Sequence, residues 1–315
     1  MSRLRRALRD ARRFLARRQN RIALSIVAVF VIAAVAAPVL APPDDPAHTG
    51  GFKIVGRRSD HIPHPPAPGL PLGTGSGQID IFYSIVWGAH SALRFGLIVA
   101  LSTAAFGVLA GLFGGFAGGP LGGLVMRAAD AFLTFPSAAG ALLFTLVMNP
   151  PTIWDPPSPL QATLADLRIT PVMIALIAFS WMPYARMVAA GVTQLKEVDF
   201  IVAARSVGAR RRRIMFRHLL PNVMSPVIVM VARDIGGMVI LEAALTFIGF
   251  GGTVEWGALL VEGRNWIIGT LGNPFVYWWV YLPATLALIL FSLGWNLLGD
   301  GLNDALNPHA ARATP

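Results

Sequence analysis

Long apolar runs alternate with shorter polar breaks along this chain. Six runs stand out: Ile22–Ala41, Phe95–Ala117, Ala131–Met148, Thr170–Val192, Val223–Gly249 and Tyr277–Asn296. Each approaches or exceeds the roughly 20 residues that an α-helix needs to cross a bilayer. The fourth carries Arg186 near its end, and the fifth carries Arg233, Asp234 and Glu242. The runs are apolar on every face and rich in glycine, as in helices buried in lipid and protein. The strands of a barrel would alternate instead. The pattern predicts an all-α, polytopic membrane protein with six transmembrane helices.

The breaks complete the layout. Residues 1–21 form a basic N-terminus, 22–41 the first span, 42–91 a proline- and glycine-rich loop, 92–300 a five-helix core and 301–315 a tail. The loop composition predicts extended, irregular chain rather than a packed domain. A second loop of that kind covers 149–169. A basic start followed by an apolar run also describes a cleaved signal peptide. This run exceeds the roughly 7–15 residues of a signal's apolar region, and five more runs follow, so a retained helix is expected. From the second run onward Gly107, Gly111, Gly115, Gly119 and Gly123 recur every four residues. Such a bare helical face admits a second helix closely, within the chain or in another subunit. Pro120 is expected to end that helix.

Composition agrees with the pattern. The chain is 55% hydrophobic and 13% charged, where a soluble domain has about 25% charged residues. The net charge is +10, and its location matters more than its size. With the N-terminus in the cytoplasm, 19 of the 26 Lys and Arg residues fall in cytoplasmic segments, as the positive-inside rule requires. Both termini are then cytoplasmic, and loops 42–91 and 149–169 are extracytoplasmic. The basic excess is thereby read as topology. Without an aromatic-interleaved basic groove, no nucleic-acid partner is expected.

Candidate chemistry is sparse. There is no cysteine, no GxSxG, no HExxH and no facing carboxylate pair, so no catalytic residue is assigned. The two lysines, Lys53 and Lys196, lie outside any GxxxxGK[ST] phosphate loop, so the chain carries no ATP site of that kind. His61 and His64, with Asp60 and His48 nearby, resemble a metal cluster only loosely, and no metal site is assigned. Arg233 and Asp234 lie near mid-span, where ionisable groups are costly and mark function by default. They fit a gate or pathway lining, or a structural interhelical ion pair. Arg127 and Asp130 have the i, i+3 spacing of a helical ion pair.

The most informative break is DFIVAARSVGARRRRIMFRHLLPN, Asp199–Asn222, with six arginines. Val198, Ile201 and Val202 are expected on one helical face, and Met215 and Leu219 on another. Gly208 stands between two short helical pieces, where a bend needs a residue without a side chain. Pro221 is expected to restart the next span. A short amphipathic helix–bend–helix is a surface onto which a soluble partner can dock; a basic helix lying on anionic lipid is the alternative.

Ala203, Ala204, Gly208, Leu220 and Pro221 resemble the EAA loop in permease subunits of binding-protein-dependent ABC importers. LGT at Leu72–Thr74, MRAADAFLTFP at Met126–Pro136, EAALTFIGFG at Glu242–Gly251 and NLLGDGLNDALNP at Asn296–Pro308 are similar, in order, to the dipeptide/oligopeptide/nickel group. The resemblance implies a type I importer fold with a cytoplasmic coupling helix within 196–222. Its ATPase-docking surface would comprise Ala203, Ala204, Arg205, Gly208, Ala209, Arg210, Arg217, His218, Leu220 and Pro221. The pathway or gate residues would be Arg233, Asp234 and Glu242. It implies partners as well: two cytoplasmic ATPase subunits holding ATP and Mg, a second homologous permease chain, an extracytoplasmic solute-binding protein and membrane lipid. This chain itself would bind no cofactor, and its solute would be a small peptide or a related molecule. A non-transporting scaffold or receptor with a basic binding loop is the alternative function. Three departures stand out. Val202 occupies the family's acidic position, with Glu197 and Asp199 one turn earlier; ARRRR at Ala209–Arg213 is more basic than the family's usual sequence and would match an acidic rim on its ATPase; and GSGQIDIF at Gly75–Phe82 keeps only Asp80 of the family's charged residues there.

Overall fold

The computed structural model describes residues 14–44, 50–57, 59–148, 159, 163–164, 167–251, 253–267, 273 and 275–306. Loop 149–169 is therefore largely outside the described residues, as are His48 and the end of the tail. The helices are α1 (Arg18–Leu40), α2 (Ile81–Ala117), α3 (Gly119–Leu133), α4 (Ser137–Met148), α5 (Pro171–Ser180), α6 (Met182–Leu195), α7 (Asp199–Ser206), α8 (Leu220–Ile248), α9 (Glu255–Ile267) and α10 (Trp278–Leu306). Among the described residues four helices are long and apolar enough to cross a membrane: α1, α2, the joined α5–α6 and α10. The bent pair α3–α4 makes five if it counts as one span. The fifth expected run forms α8, which carries Arg233, Asp234 and Glu242 and falls outside that set.

Two boundaries differ from the apolar pattern. The third run, Ala131–Met148, is not one straight helix: α3 and α4 meet at 85°. Pro136 explains the break, because it has no N–H and disfavours helical geometry at Phe135. The amides of Thr134 and Phe135 close the end of α3 onto the Asp130 and Phe132 carbonyls, at 3.2 and 3.1 Å. Likewise α2 ends at Ala117, before Pro120. Gly118 and Gly119 turn the chain with φ of +60° and +56°, and Pro120 sits in the first turn of α3.

The chain divides into two compact units. One gathers residues 98–234 with the described parts of 1–17 and 298–315. There, the glycine face of α2 packs on α6. A methyl at Gly107 would lie 2.5 Å from the Trp181 carbonyl oxygen, and one at Gly115 would lie 2.8 Å from that of Ala189. Gly107, Gly111 and Gly115 therefore serve packing within the chain, whereas Gly119 and Gly123 face open space. Close approach builds a core in which Val108, Leu112, Tyr184, Val188 and Val192 are buried.

The other unit comprises 18–97 and 235–297. Phe30, Trp256 and Phe291 form edge-to-face pairs with centroids 5.4–5.6 Å apart. The Trp256 indole lies directly over Gly88 and donates to the Ile85 carbonyl at 3.0 Å. The described part of the proline- and glycine-rich loop is irregular, as expected, yet it closes on itself. Val55 donates to the Gln78 carbonyl at 3.0 Å, Thr74 to His64 at 2.9 Å and Asp80 to Lys53 at 2.8 Å. The Asp80 carboxylate then accepts from the Tyr83 amide at 3.1 Å and caps α2. This cap explains why α2 begins fourteen residues before the apolar run Phe95–Ala117.

Candidate functional site

The basic segment folds as a helix, a tight turn and a second helical piece. Asp199 lies in the first turn of α7, where its charge favours the positive end of the helix dipole. The other end closes in a Schellman arrangement. Gly208 donates to Arg205 at 2.9 Å, and Ala209 to Ala204 at 3.0 Å. Gly208 has φ +77°, in the left-handed region where a side chain is disfavoured. The chain then winds through Arg211–Arg213 and a π-helical stretch, Ile214–Leu219, directly into α8. Pro221 lies in the first turn of α8, as expected, but the helical stretch before it leaves no break. It sits where the helix has widened, which accommodates its missing donor and its ring. The Asn222 side-chain amide donates to the His218 carbonyl at 2.6 Å.

The faces differ from those expected. Ile201, Ile214 and Leu219 are buried together against Val188, Val192 and Val223. Met215 packs partly buried against the same cluster. Val198 and Val202 are exposed. Val198 is the extended residue that precedes α7, outside its helical register, and Val202 lies about 100° around the helix from Ile201.

The expected docking residues separate accordingly. Ala203, Arg205, Gly208, Arg210, Arg217 and Pro221 are exposed, while Ala204, Ala209, His218 and Leu220 are half-buried. Ala209 and Leu220 support the buried cluster. The Arg205 guanidinium lies 6.0 Å from the Phe116 ring centroid. A groove of about 620 Å³ is lined by Arg210, Arg212, Arg213, Phe216, Arg217 and Pro221. Arg212, Arg213 and Phe216 lie outside the docking set that the resemblance implied; the run ARRRR at Ala209–Arg213 was the signal for the two arginines, and no local signal marked Phe216.

The charges within α8 have partners on different helices. The Arg233 guanidinium pairs with the Asp300 carboxylate of α10. Asp234 accepts from the Tyr184 hydroxyl of α6 at 2.7 Å. Glu242 is fully buried, and its Oε1 accepts from Thr246 Oγ1 at 3.0 Å, Thr253 N at 3.0 Å, Thr253 Oγ1 at 2.9 Å and Val254 N at 3.3 Å. Asp300 escaped sequence reasoning because no local spacing relates it to Arg233. Asp130 meets Arg186 at 3.4 Å rather than pairing with Arg127. His64 lies 3.0 Å from Asp60, and this hydrogen bond holds the Asp60 carboxyl below the usual carboxylate range. Among the described residues no three His, Cys, Asp or Glu side chains gather as a metal site would require.

Residues 107–312 match the family described as binding-protein-dependent transport system inner membrane component. The chain is 31% identical over 290 residues to the dipeptide transport system permease protein DppC of Alkalihalophilus pseudofirmus, covering 91% of this chain and 84% of that protein. It is 32% identical to the glutathione transport system permease protein GsiD of Pectobacterium atrosepticum, covering 79% and 76%. It is 32% identical to the di/tripeptide transport system permease protein DppC of Pseudomonas aeruginosa, covering 77% and 73%.

Proposed function

This chain belongs to the inner membrane components of binding-protein-dependent transport systems, and from that premise we propose that it forms half of the transmembrane pathway of an ATP-driven importer of short peptides. It is a permease subunit of an ABC transporter, a multi-pass protein of the bacterial inner membrane without an ATP site of its own. The family implies an ATPase, a further permease chain and a binding protein as partners. The finer reading adds two cytoplasmic ATPase subunits that hold ATP and Mg, and six spans with α8 as the fifth. Both termini are cytoplasmic, and the loop 42–91 is extracytoplasmic. Relatives named for dipeptides, di- and tripeptides and glutathione support peptides of two or three residues as the solute class.

In this reading the loop 196–222 docks on the ATPase. One observation carries it: Ile201, Ile214 and Leu219 anchor the loop to the core while its arginines point outward around the Gly208 turn. Arg233 and Asp234 act as a gate, because each is tied to a different helix and switching requires both ties to change. Glu242, which the resemblance groups with them, is fully buried and acts instead as the positioning residue for the 253–254 turn. The test is Gly208→Leu. No heavy atom lies within 4 Å of an added Cβ, so the cost in the isolated chain is backbone strain of about 1–2 kcal/mol. Gly208→Leu should insert normally and lose dipeptide uptake when expressed with its partner chains. Gly208→Asn, which tolerates the left-handed conformation, should retain uptake. Unimpaired uptake by Gly208→Leu would defeat the docking reading.

A further inference from the structure

The basic loop presents two chemically distinct halves. Before the Gly208 turn its outward side chains are mainly apolar: Val198, Phe200, Val202 and Val207 are exposed, Val207 by 84%. The few charges there are mixed, with Glu197 and Asp199 beside Lys196 and Arg205. After the turn, Arg210, Arg212, Arg213 and Arg217 surround Phe216 in one groove. Among the described residues no carboxylate comes within ion-pair distance of these four arginines. Like charges held this close repel, so the groove calls for an external anion. Exposed apolar side chains on an aqueous loop call for a covering surface, and Phe200 and Val207, seven residues apart, share one helical face.

We propose that the ATPase seated on this loop is correspondingly two-sided: an apolar floor receives Phe200 and Val207, and a carboxylate-lined rim receives the arginines beyond the turn. This rests on the docking reading above and adds the partner's chemistry. Guanidinium forks grip carboxylates in bidentate fashion, so the rim also fixes register and rejects ATPases that lack it. The phosphates of anionic lipid would answer the same charge. Arginine beside an exposed aromatic, on a loop that also exposes Phe200 and Val207, is the composition of a protein interface.

The sequence makes a direct test possible. It has no cysteine, and its two lysines are Lys53 and Lys196. In the purified full transporter, with Lys196→Arg as background, Arg212→Lys and Arg213→Lys would place amines in the groove for zero-length coupling to carboxylates. The expected result is a covalent adduct from each position to an Asp or Glu of the ATPase, mapped by mass spectrometry. A Val207→Lys control on the apolar half should give none. Arg212→Glu combined with Arg213→Glu should lose co-eluting ATP hydrolysis. Absence of adducts in a complex that still hydrolyses ATP would overturn the acidic rim and leave docking intact. Loss of bound anionic phospholipid in the double Glu variant, with ATPase retained, would overturn it in favour of the membrane. Failure of any ATPase to co-elute with the unaltered chain would remove the docking reading and this inference together.

Discussion

The basic loop 196–222 and the proline- and glycine-rich loop 50–80 both interrupt apolar sequence, and they are held in opposite ways. In loop 50–80 the polar groups turn inward. The Gln78 side chain donates to the Ile62 carbonyl at 3.1 Å and accepts from Thr74 Oγ1 at 3.3 Å, with Gln78 itself at φ +59°. The basic loop is held instead by three buried aliphatic side chains, Ile201, Ile214 and Leu219. Hydrogen bonds use up the groups that make them, whereas apolar burial is non-directional and leaves charged side chains available. A loop built in the second way keeps its arginines for something else, which supports the basic loop as a docking part.

The sharpest way to break this contrast is to remove an apolar anchor. Ile201→Ala deletes a fully buried side chain and should cost about 3 kcal/mol, within the usual range for such cavities. Peptide uptake should fall with it, and hydrogen exchange should accelerate across 199–220. Its neighbour Val202→Ala should change the stability of the isolated chain by less than about 0.5 kcal/mol, because Val202 is exposed. Equal effects of the two would overturn the assignment of faces. The corresponding lesion in the other loop is Gly73→Ala. Gly73 has φ +70°, and an added methyl would collide with the His64 carbonyl and lie 2.9 Å from Pro65 C. Strain of about 2 kcal/mol should open the loop, seen as protease cleavage within 57–75, with 199–220 unaffected.

These same residues show how far the sequence could be read. Helices α1 and α10 followed directly from apolar runs, and the Gly208 turn followed from a glycine between two helical pieces. The bend at Pro136 did not, because the apolar stretches on both sides of Thr134–Ser137 read as one run and hydropathy reports burial rather than direction. The face of α7 was misread for a geometric reason: Val198, Ile201 and Val202 are neighbours in sequence, but Val198 precedes the helix. Asp300 as the partner of Arg233, and Gln78 as the hub of its loop, depend on contacts between distant positions that no local pattern encodes. The docking reading itself came from resemblance in ordered motifs, while the second, arginine-lined half of the surface was legible as charge alone.

A smaller effect tests how the loop 50–80 is joined to its helix. Asp80 caps α2, so Asp80→Ala should cost about 1 kcal/mol. Thermal unfolding of the purified chain would check this, and Asp80→Asn, which can still accept from the Tyr83 amide, should recover most of the loss. No recovery would mean that the charge, rather than the cap, matters at this position.

The smallest effect concerns pH. The Glu255 carboxylate is buried at the start of α9, where it accepts from the Gly51 amide at 2.9 Å and from the Ser91 hydroxyl. Burial pushes its carboxyl above the ordinary value near 4.5, outweighing those hydrogen bonds. In the unfolded chain the proton leaves near 4.5, and in the folded chain it leaves at higher pH. Between the two values the folded state holds more protons, so this group's contribution to stability falls as pH rises through that window. Glu255→Gln cannot titrate. The melting temperature of the unaltered chain should therefore drop relative to that of Glu255→Gln as pH rises above the ordinary carboxyl value near 4.5. The reverse slope would show that the Gly51 and Ser91 donors outweigh burial, and that the carboxylate itself fastens loop 50–80. That outcome would make the two loops alike in one respect, since an ionised side chain would then be holding shape rather than awaiting a partner.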